Sequence, residues 1–418
     1  MDSNDNRKIE IMAPCGSWES LRAALQAGAG SVYFGVGRLN MRSRSAANFT
    51  VDDLGEICRT CSEAGVKTYL TVNIVVYDSE MAELEELLAA ARKAGVDAVI
   101  ASDMAVIMAA RRLGIEVHIS TQCNVSNSEA VRFYSQWADV MVLARELSLD
   151  QVAAIHRFVA ENDIRGPKGG LVRLEMFAHG ALCMSVSGKC YLSLDNAAHS
   201  ANRGACMQLC RRGYIVKDKE SDLELEVDNQ YIMSPKDLCT IGFLDRMIAA
   251  GVRVLKIEGR GRSADYVRTT VECYREAAEA IADGSYSPGK VEGWTARLAT
   301  VFNRGFWDGY YLGRRLGEWS DRYGSQATER RVYLGPVKNY FKRIGVAEVH
   351  LQTAERLRAG DTVVVIGPTT GVYRAVAGEL RLERDAVAEV GQGSCFSFAT
   401  SEPLHRGDKV YRVDKVQP

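Results

Sequence analysis

A short run of β-branched and aliphatic residues followed by a helix-like stretch recurs along this chain, and that alternation constrains its fold more than any other feature. The runs cover residues 9–14, 31–36, 67–75, 98–103, 116–123, 140–146, 172–180 and 253–259. Apolar residues at helical spacing fill 17–27, 52–64, 79–94, 104–113, 126–137, 149–162 and 264–282. Ser17 opens the first helix, and Gly28, Gly65, Gly95 and Gly114 stand just past helix ends, where a left-handed residue stops the spiral. Parallel strands need a long crossover, usually a helix, so the alternation predicts a parallel sheet with helices outside it. Eight such units without a dinucleotide-binding fingerprint predict closure: an α/β fold, a (β/α)8 TIM-like barrel over residues 1–285.

The seventh unit is interrupted. About 57 residues separate Gly180 from a helix expected near Asp237, too many for an ordinary loop, so 181–236 reads as an insertion after strand seven. A helical linker follows at 286–330. From 331 to 418 short strands without helices, at 331–337, 345–351, 361–366, 375–381, 395–399 and 409–413, predict a small all-β, barrel-like domain. Its basic edge, Arg330, Arg331, Lys338, Lys342 and Arg343, is interleaved with Tyr333, Tyr340 and Phe341. Such a pattern stacks bases while neutralising phosphates, or is a solvated face over core aromatics.

Charge narrows the partners. Fifty-two basic residues against 53 acidic ones leave a net charge of −1, so any nucleic acid must be held by local patches. No apolar run reaches the length of a membrane span, and the polar start at residues 1–6 is unlike a secretory signal; a cytoplasmic location is expected. Eleven cysteines then read as thiols, and four of them fall within the 28 residues from Cys183 to Cys210.

Those four carry the strongest chemical signal. Cys183 and Cys190 enclose six residues, Cys190 and Cys206 fifteen, and Cys206 and Cys210 three. Four thiolates on one insertion can bind a [4Fe–4S] cluster or a structural zinc ion. Zinc ribbons favour paired short knuckles, and only the second pair fits. Four unrelated buried thiols are the third reading, against which Gly188 and Gly204 permit turns that aim backbone N–H groups at sulfur. Cys239, opening the helix expected near Asp237, reads as a buried thiol.

Active sites of such barrels lie at the C-terminal ends of the strands. At period two, Arg173, Glu175, Phe177 and His179 share a face of strand seven, and Lys256 and Glu258 share one of strand eight. His118, Ser120 and Gln122 do so on strand five, and Asn73 ends strand three. Glu175, His179, Lys256 and Glu258 are the catalytic candidates; Asn73, His118 and Gln122 are substrate-binding candidates. The competing account is internal ion pairing, Lys256 with Glu175 for example. Arg260 and Arg262 precede a helix after strand eight, a place that suits a phosphate or carboxylate, and Arg42 with Arg44 forms a second pair after strand two. No hydrolase elbow, zinc-protease helix or P-loop occurs; His179 near Cys183 is the one suggestive nucleophile–base pairing.

Several stretches carry a resemblance. Glu175-Met-Phe-Ala-His-Gly-Ala-Leu-Cys183 through Cys190, then Asn202-Arg-Gly-Ala-Cys206-Met-Gln-Leu-Cys210, with Ser234-Pro-Lys-Asp-Leu, Lys256-Ile-Glu-Gly-Arg260 and Ala13-Pro-Cys-Gly-Ser17, resemble the collagenase-like peptidase family of unknown catalytic type. The resemblance runs over nearly the whole chain and implies something unlike the family's label. Members most similar in layout are tRNA hydroxylation proteins, iron–sulfur proteins that make 5-hydroxyuridine at the wobble position without oxygen and require prephenate. Others act on ribosomal RNA cytidine or the ubiquinone ring. It implies a [4Fe–4S] cluster on Cys183, Cys190, Cys206 and Cys210, a tRNA partner, a small dicarboxylate metabolite that Arg260 and Arg262 would grip, and a partner protein or electron donor. A peptidase and a zinc-stabilised RNA-binding module are the alternative readings.

Overall fold

The computed structural model describes residues 9–44, 47–183, 185–212, 214–217, 219–220, 224–227, 234–313, 318–320 and 324–416. The polar start and parts of the expected insertion and linker lie outside the described residues.

Eight parallel strands close on themselves: β1 (Glu10–Pro14), β2 (Ser31–Phe34), β3 (Lys67–Val72), β4 (Ala98–Ala101), β5 (Glu116–Ile119), β6 (Val140–Val142), β7 (Arg173–Ala181) and β8 (Val252–Ile257). Each pairs with its successor, and β8 pairs with both β7 and β1, which completes the TIM-like barrel. Helices α1 (Trp18–Gln26), α2 (Leu54–Glu63), α3 (Met81–Ala94), α4 (Met104–Arg112), α5 (Ser128–Tyr134) and α6 (Leu149–Glu161) alternate with the first strands. Local chemistry sets their ends: Ser148 and Gln151 form a reciprocal cap on α6, and Gly95 takes a left-handed φ of 84° after α3. Outward strand residues such as Ile11, Leu70, Val99 and Leu255 join helix residues in the main core, while Met12, Tyr33, Tyr69, Ile100 and Val254 fill the lumen. Several strands stop earlier than their apolar runs; the trailing residues 73–75, 120–123 and 143–146 become the loops of the barrel mouth.

The insertion holds the short helix α7 (Leu192–Ala197). Asp237 does not open a helix. Asp237–Cys239 is a short strand lying antiparallel on the end of β7, with Phe306–Trp307 beside it, and the helix α8 (Leu244–Ala249) begins later. The sequence there alternates without helical apolar spacing until Leu244. α9 (Ala264–Ala282) and α10 (Pro288–Ala299) complete the layer.

Beyond α10 an eight-stranded antiparallel sheet includes β9 (Glu329–Phe341), β10 (Val346–His350), β11 (Thr362–Gly367), β12 (Gly371–Val376), β13 (Leu380–Leu382), β14 (Cys395–Ala399) and β15 (Lys409–Lys415). The run expected at 375–381 is split between β12 and β13. The sheet buries its own core around Leu334, Val349, Val365, Phe396 and Val410. A small apolar contact of Ala23 and Ala264 with Val364 and Val372 docks it on α1 and α9, where the Gln26 side chain bonds both Thr370 and Val372 backbone. Among the described residues no helix is long and apolar enough to cross a membrane.

Candidate active site

The upper lumen is built from charged side chains that the strand ends aim at one another. Lys256 Nζ donates to Glu175 Oε1 at 2.8 Å, both buried, with the ammonium 4.6 Å above the Tyr33 ring and 5.7 Å from that of Phe177. The second oxygen of Glu175 is buried with no hydrogen-bond partner. Arg42 donates to Glu258 at 2.7 Å, and the Tyr33 hydroxyl lies 3.2 Å from the other oxygen of Glu258. Burial pushes the Glu258 carboxyl up, but the Arg42 and Arg260 charges outweigh it and hold the group below its ordinary value.

Arg260 is buried and reaches into the mouth, donating to Thr71 Oγ1 at 2.7 Å and Asn40 Oδ1 at 3.1 Å. Burial lowers its pKa to about 10. Among the described residues no carboxylate pairs with it directly. With Arg145, which stands 5.7 Å from the Phe177 ring, the mouth carries more cations than acids.

The insertion sits on this mouth. Asn73 donates to Ser120 and Gln122 at 3.3 Å each, and Gly188, at φ +71°, lies so close to Gln122 that a Cβ would stand 3.0 Å from its side chain. Arg145 donates to Ser187 Oγ at 2.5 Å and Asn124 to Ser187 O at 2.9 Å. On the opposite rim Gly204 packs on Asn40 and Ser43. Arg203 donates to Val75 O at 2.8 Å and to both oxygens of Glu80, with its guanidinium 3.9 Å above the Tyr77 ring.

Between these anchors lie the four cysteines. The charges of Cys183, Cys206 and Cys190 all act on the Cys210 thiol, whose pKa is raised by burial first and by those neighbours after it. Cys206 acts on Arg42 as well, so that sulfur lies within electrostatic reach of the Arg42–Glu258 pair. Cys183 is exposed and the other three half-buried. Among the described residues, no three His, Cys, Asp or Glu side chains gather tightly enough for one metal ion. The four thiols stand within electrostatic reach of one another beside the mouth.

Other candidates are dispersed. His179 does not share the lumen with Glu175 and Phe177: the β7–β8 register slips by one residue at Ala178, and the bulge turns His179 outward among Tyr266, Tyr274 and Phe306. Burial and then Arg262 lower its pKa to about 3, so it is neutral there. It is no partner for Cys183. Arg262 lies 3.6 Å over the Phe302 ring, while Arg260 bonds Thr71 and Asn40. His118 is buried against Tyr69 and bonded to Glu116 at 3.1 Å, in the lower lumen where Arg173 pairs with Glu10. Arg44 is exposed on the loop after β2. The residues left unnamed by the sequence reading are Tyr33, Asn40, Thr71 and Arg203; only Tyr33, inward on its strand at period two, carried a readable signal.

Comparison with known proteins adds the lineage. The model of peptidase family U32 matches residues 16–321. The chain belongs to peptidase family U32. This U32 chain is 57% identical to a Porphyromonas gingivalis protein named Collagenase, over 99% of both chains. It is 33% identical to the tRNA hydroxylation protein P1 of Bacillus subtilis, over 87% of this chain and 84% of that one. With the 23S rRNA 5-hydroxycytidine C2501 synthase of Escherichia coli it shares 32% identity over 86% of this chain and 53% of that one. The U32 family thus joins names for peptide cleavage and for RNA hydroxylation.

Proposed function

We propose that this protein is an iron–sulfur enzyme that hydroxylates RNA without oxygen, with tRNA wobble uridine as the base and 5-hydroxyuridine as the product. The observation that carries the reading is the gathering of Cys183, Cys190, Cys206 and Cys210 over a barrel mouth whose cations outnumber its acids. The four thiolates would hold a [4Fe–4S] cluster, which supplies one-electron chemistry when bound. Arg42, beside Cys206, offsets the charge of the thiolates. Glu175, Lys256 and Arg260 are buried, where Coulomb terms are stronger than in solvent.

Arg260 and Lys256 are the anion ligands of this reading. A buried guanidinium without a carboxylate partner favours binding a carboxylate or phosphate by charge-assisted bonds. A small dicarboxylate such as prephenate would neutralise the excess charge, and the open oxygen of Glu175 would accept a hydrogen bond from its hydroxyl.

Peptide hydrolysis is the second reading, favoured by the 57% identity to a protein named Collagenase. Against it, among the described residues no histidine ring hydrogen-bonds a serine or cysteine side chain. The Thr370 hydroxyl near His405 donates to buried Asp408, in the second sheet and not in the mouth. Anaerobic purification separates the readings: bound iron and acid-labile sulfide with broad visible absorption support the cluster, and a colourless zinc protein or metal-independent peptide cleavage refutes it.

A further inference from the structure

We propose that the outer face of the cysteine insertion, with the loop after β3 on which it rests, is the surface that receives unpaired bases of the RNA. This deepens the RNA reading above and rests on it.

The basic edge of the second sheet is already occupied. Arg330 pairs with Asp414 at 3.3 Å, Arg331 with Asp265 at 2.8 Å, and the Tyr333 ring packs against Tyr411. What remains open there is the β9–β10 hairpin tip, with Lys338, Lys342, Arg343, Phe341 and Ile344 exposed, a smaller patch than that of the insertion.

The insertion presents a different surface. Of the fifteen large hydrophobic side chains that stand exposed among the described residues, six lie here: Val75, Tyr77, Val186, Tyr191, Leu194 and Met207. Tyr191 is 67% exposed and Tyr77 53%. Hydrogen bonds join parts of this face, since Asn202 O accepts from Val75 N and Met207 N donates to the Ser193 hydroxyl on α7. A soluble chain rarely leaves such side chains together without a partner. Between residues 185 and 212 Lys189 and Arg212 stand exposed, while Arg203 is paired with Glu80 and Arg211 is bonded inward to Ser234, Pro235 and Leu182; Asp195 is the one acid of that stretch. Exposed aromatics among cations suit stacked bases and their phosphates. Tyr191 and Met207 each adjoin a cluster cysteine, so a base stacked here lies beside the proposed redox centre.

The test is binding of a fluorescent unmodified RNA stem–loop to the full chain, with iron content and melting temperature read on every variant. Tyr191→Ala and Lys189→Glu together should weaken binding about tenfold or more, and Tyr77→Ala, remote from the cysteines in sequence, should do so with iron retained. Lys342→Glu with Arg343→Glu should bind as wild type. Insertion variants that bind like wild type, or a loss that follows the hairpin-tip variant, overturn the surface alone. Unchanged RNA affinity with slowed modification in cells overturns it in favour of a protein dock. Wild-type protein that binds no RNA overturns the RNA reading with it.

Discussion

Lys256 Nζ lies 2.8 Å from Glu175 Oε1 inside the barrel, while the other oxygen of Glu175 is buried without a partner. The pair is therefore half satisfied, with one buried acceptor left unpaired. Truncating the lysine would strand a buried carboxylate, so Lys256→Met should cost about 3–5 kcal/mol in denaturant unfolding. Adding Glu175→Gln should return part of that loss. An unchanged unfolding midpoint in the single variant would show the pair to be solvated.

Gly204 packs the insertion onto the barrel at φ +79°, with Asn40 O and Ser43 Oγ where a Cβ would stand. Gly204→Ala combines a disfavoured backbone, about 1–3 kcal/mol, with a clash against backbone. Limited proteolysis should then cut within 185–212 faster than in wild type, while Gly37→Ala, with open space around it, should not raise that rate.

Glu80 anchors the same insertion. The Arg203 hydrogen bonds lower its pKa to about 2 from 4.5, with the Tyr77 N–H and the Arg38 charge assisting. A depressed carboxyl stabilises above its unfolded value and loses that contribution as pH falls. Hydrogen-exchange protection factors at 200–205 should fall between about pH 4.5 and pH 2, and Glu80→Gln should lower them already at pH 7. Protection factors that stay flat across that range in wild type would contradict the latch.

His179 is held neutral, with its pKa near 3, by burial and then by Arg262. The unfolded chain takes up a proton near pH 6.5, so this site removes stability as pH falls below about 6.5 and has no effect above it. The melting temperature of wild type should drop faster with acid than that of His179→Phe, and the variant should keep its RNA modification. Loss of modification with iron retained would restore His179 as a catalytic group.

The barrel was legible because its signal is redundant: eight strand periods and seven helical stretches all agree, so early strand ends at Phe34 or Val142 change nothing. The lumen pair Lys256–Glu175 follows from period two for the same reason. His179 was not legible, since one extra residue at Ala178 reverses the face of everything after it and leaves no mark in composition. Arg260 and Arg262 likewise differ only in the backbone turn between them, around Gly261. The strand at Asp237–Cys239 depends on β7 extending past the barrel rim, a tertiary fact absent from its own three residues.

The central claim is that four gathered thiols support RNA hydroxylation. Nucleoside mass spectrometry of tRNA and ribosomal RNA, from a deletion strain carrying wild-type protein or Cys206→Ala, tests it most directly. The account predicts a hydroxylated pyrimidine with wild type and none with Cys206→Ala. Equal amounts of that nucleoside in both strains, or none in either, would contradict it.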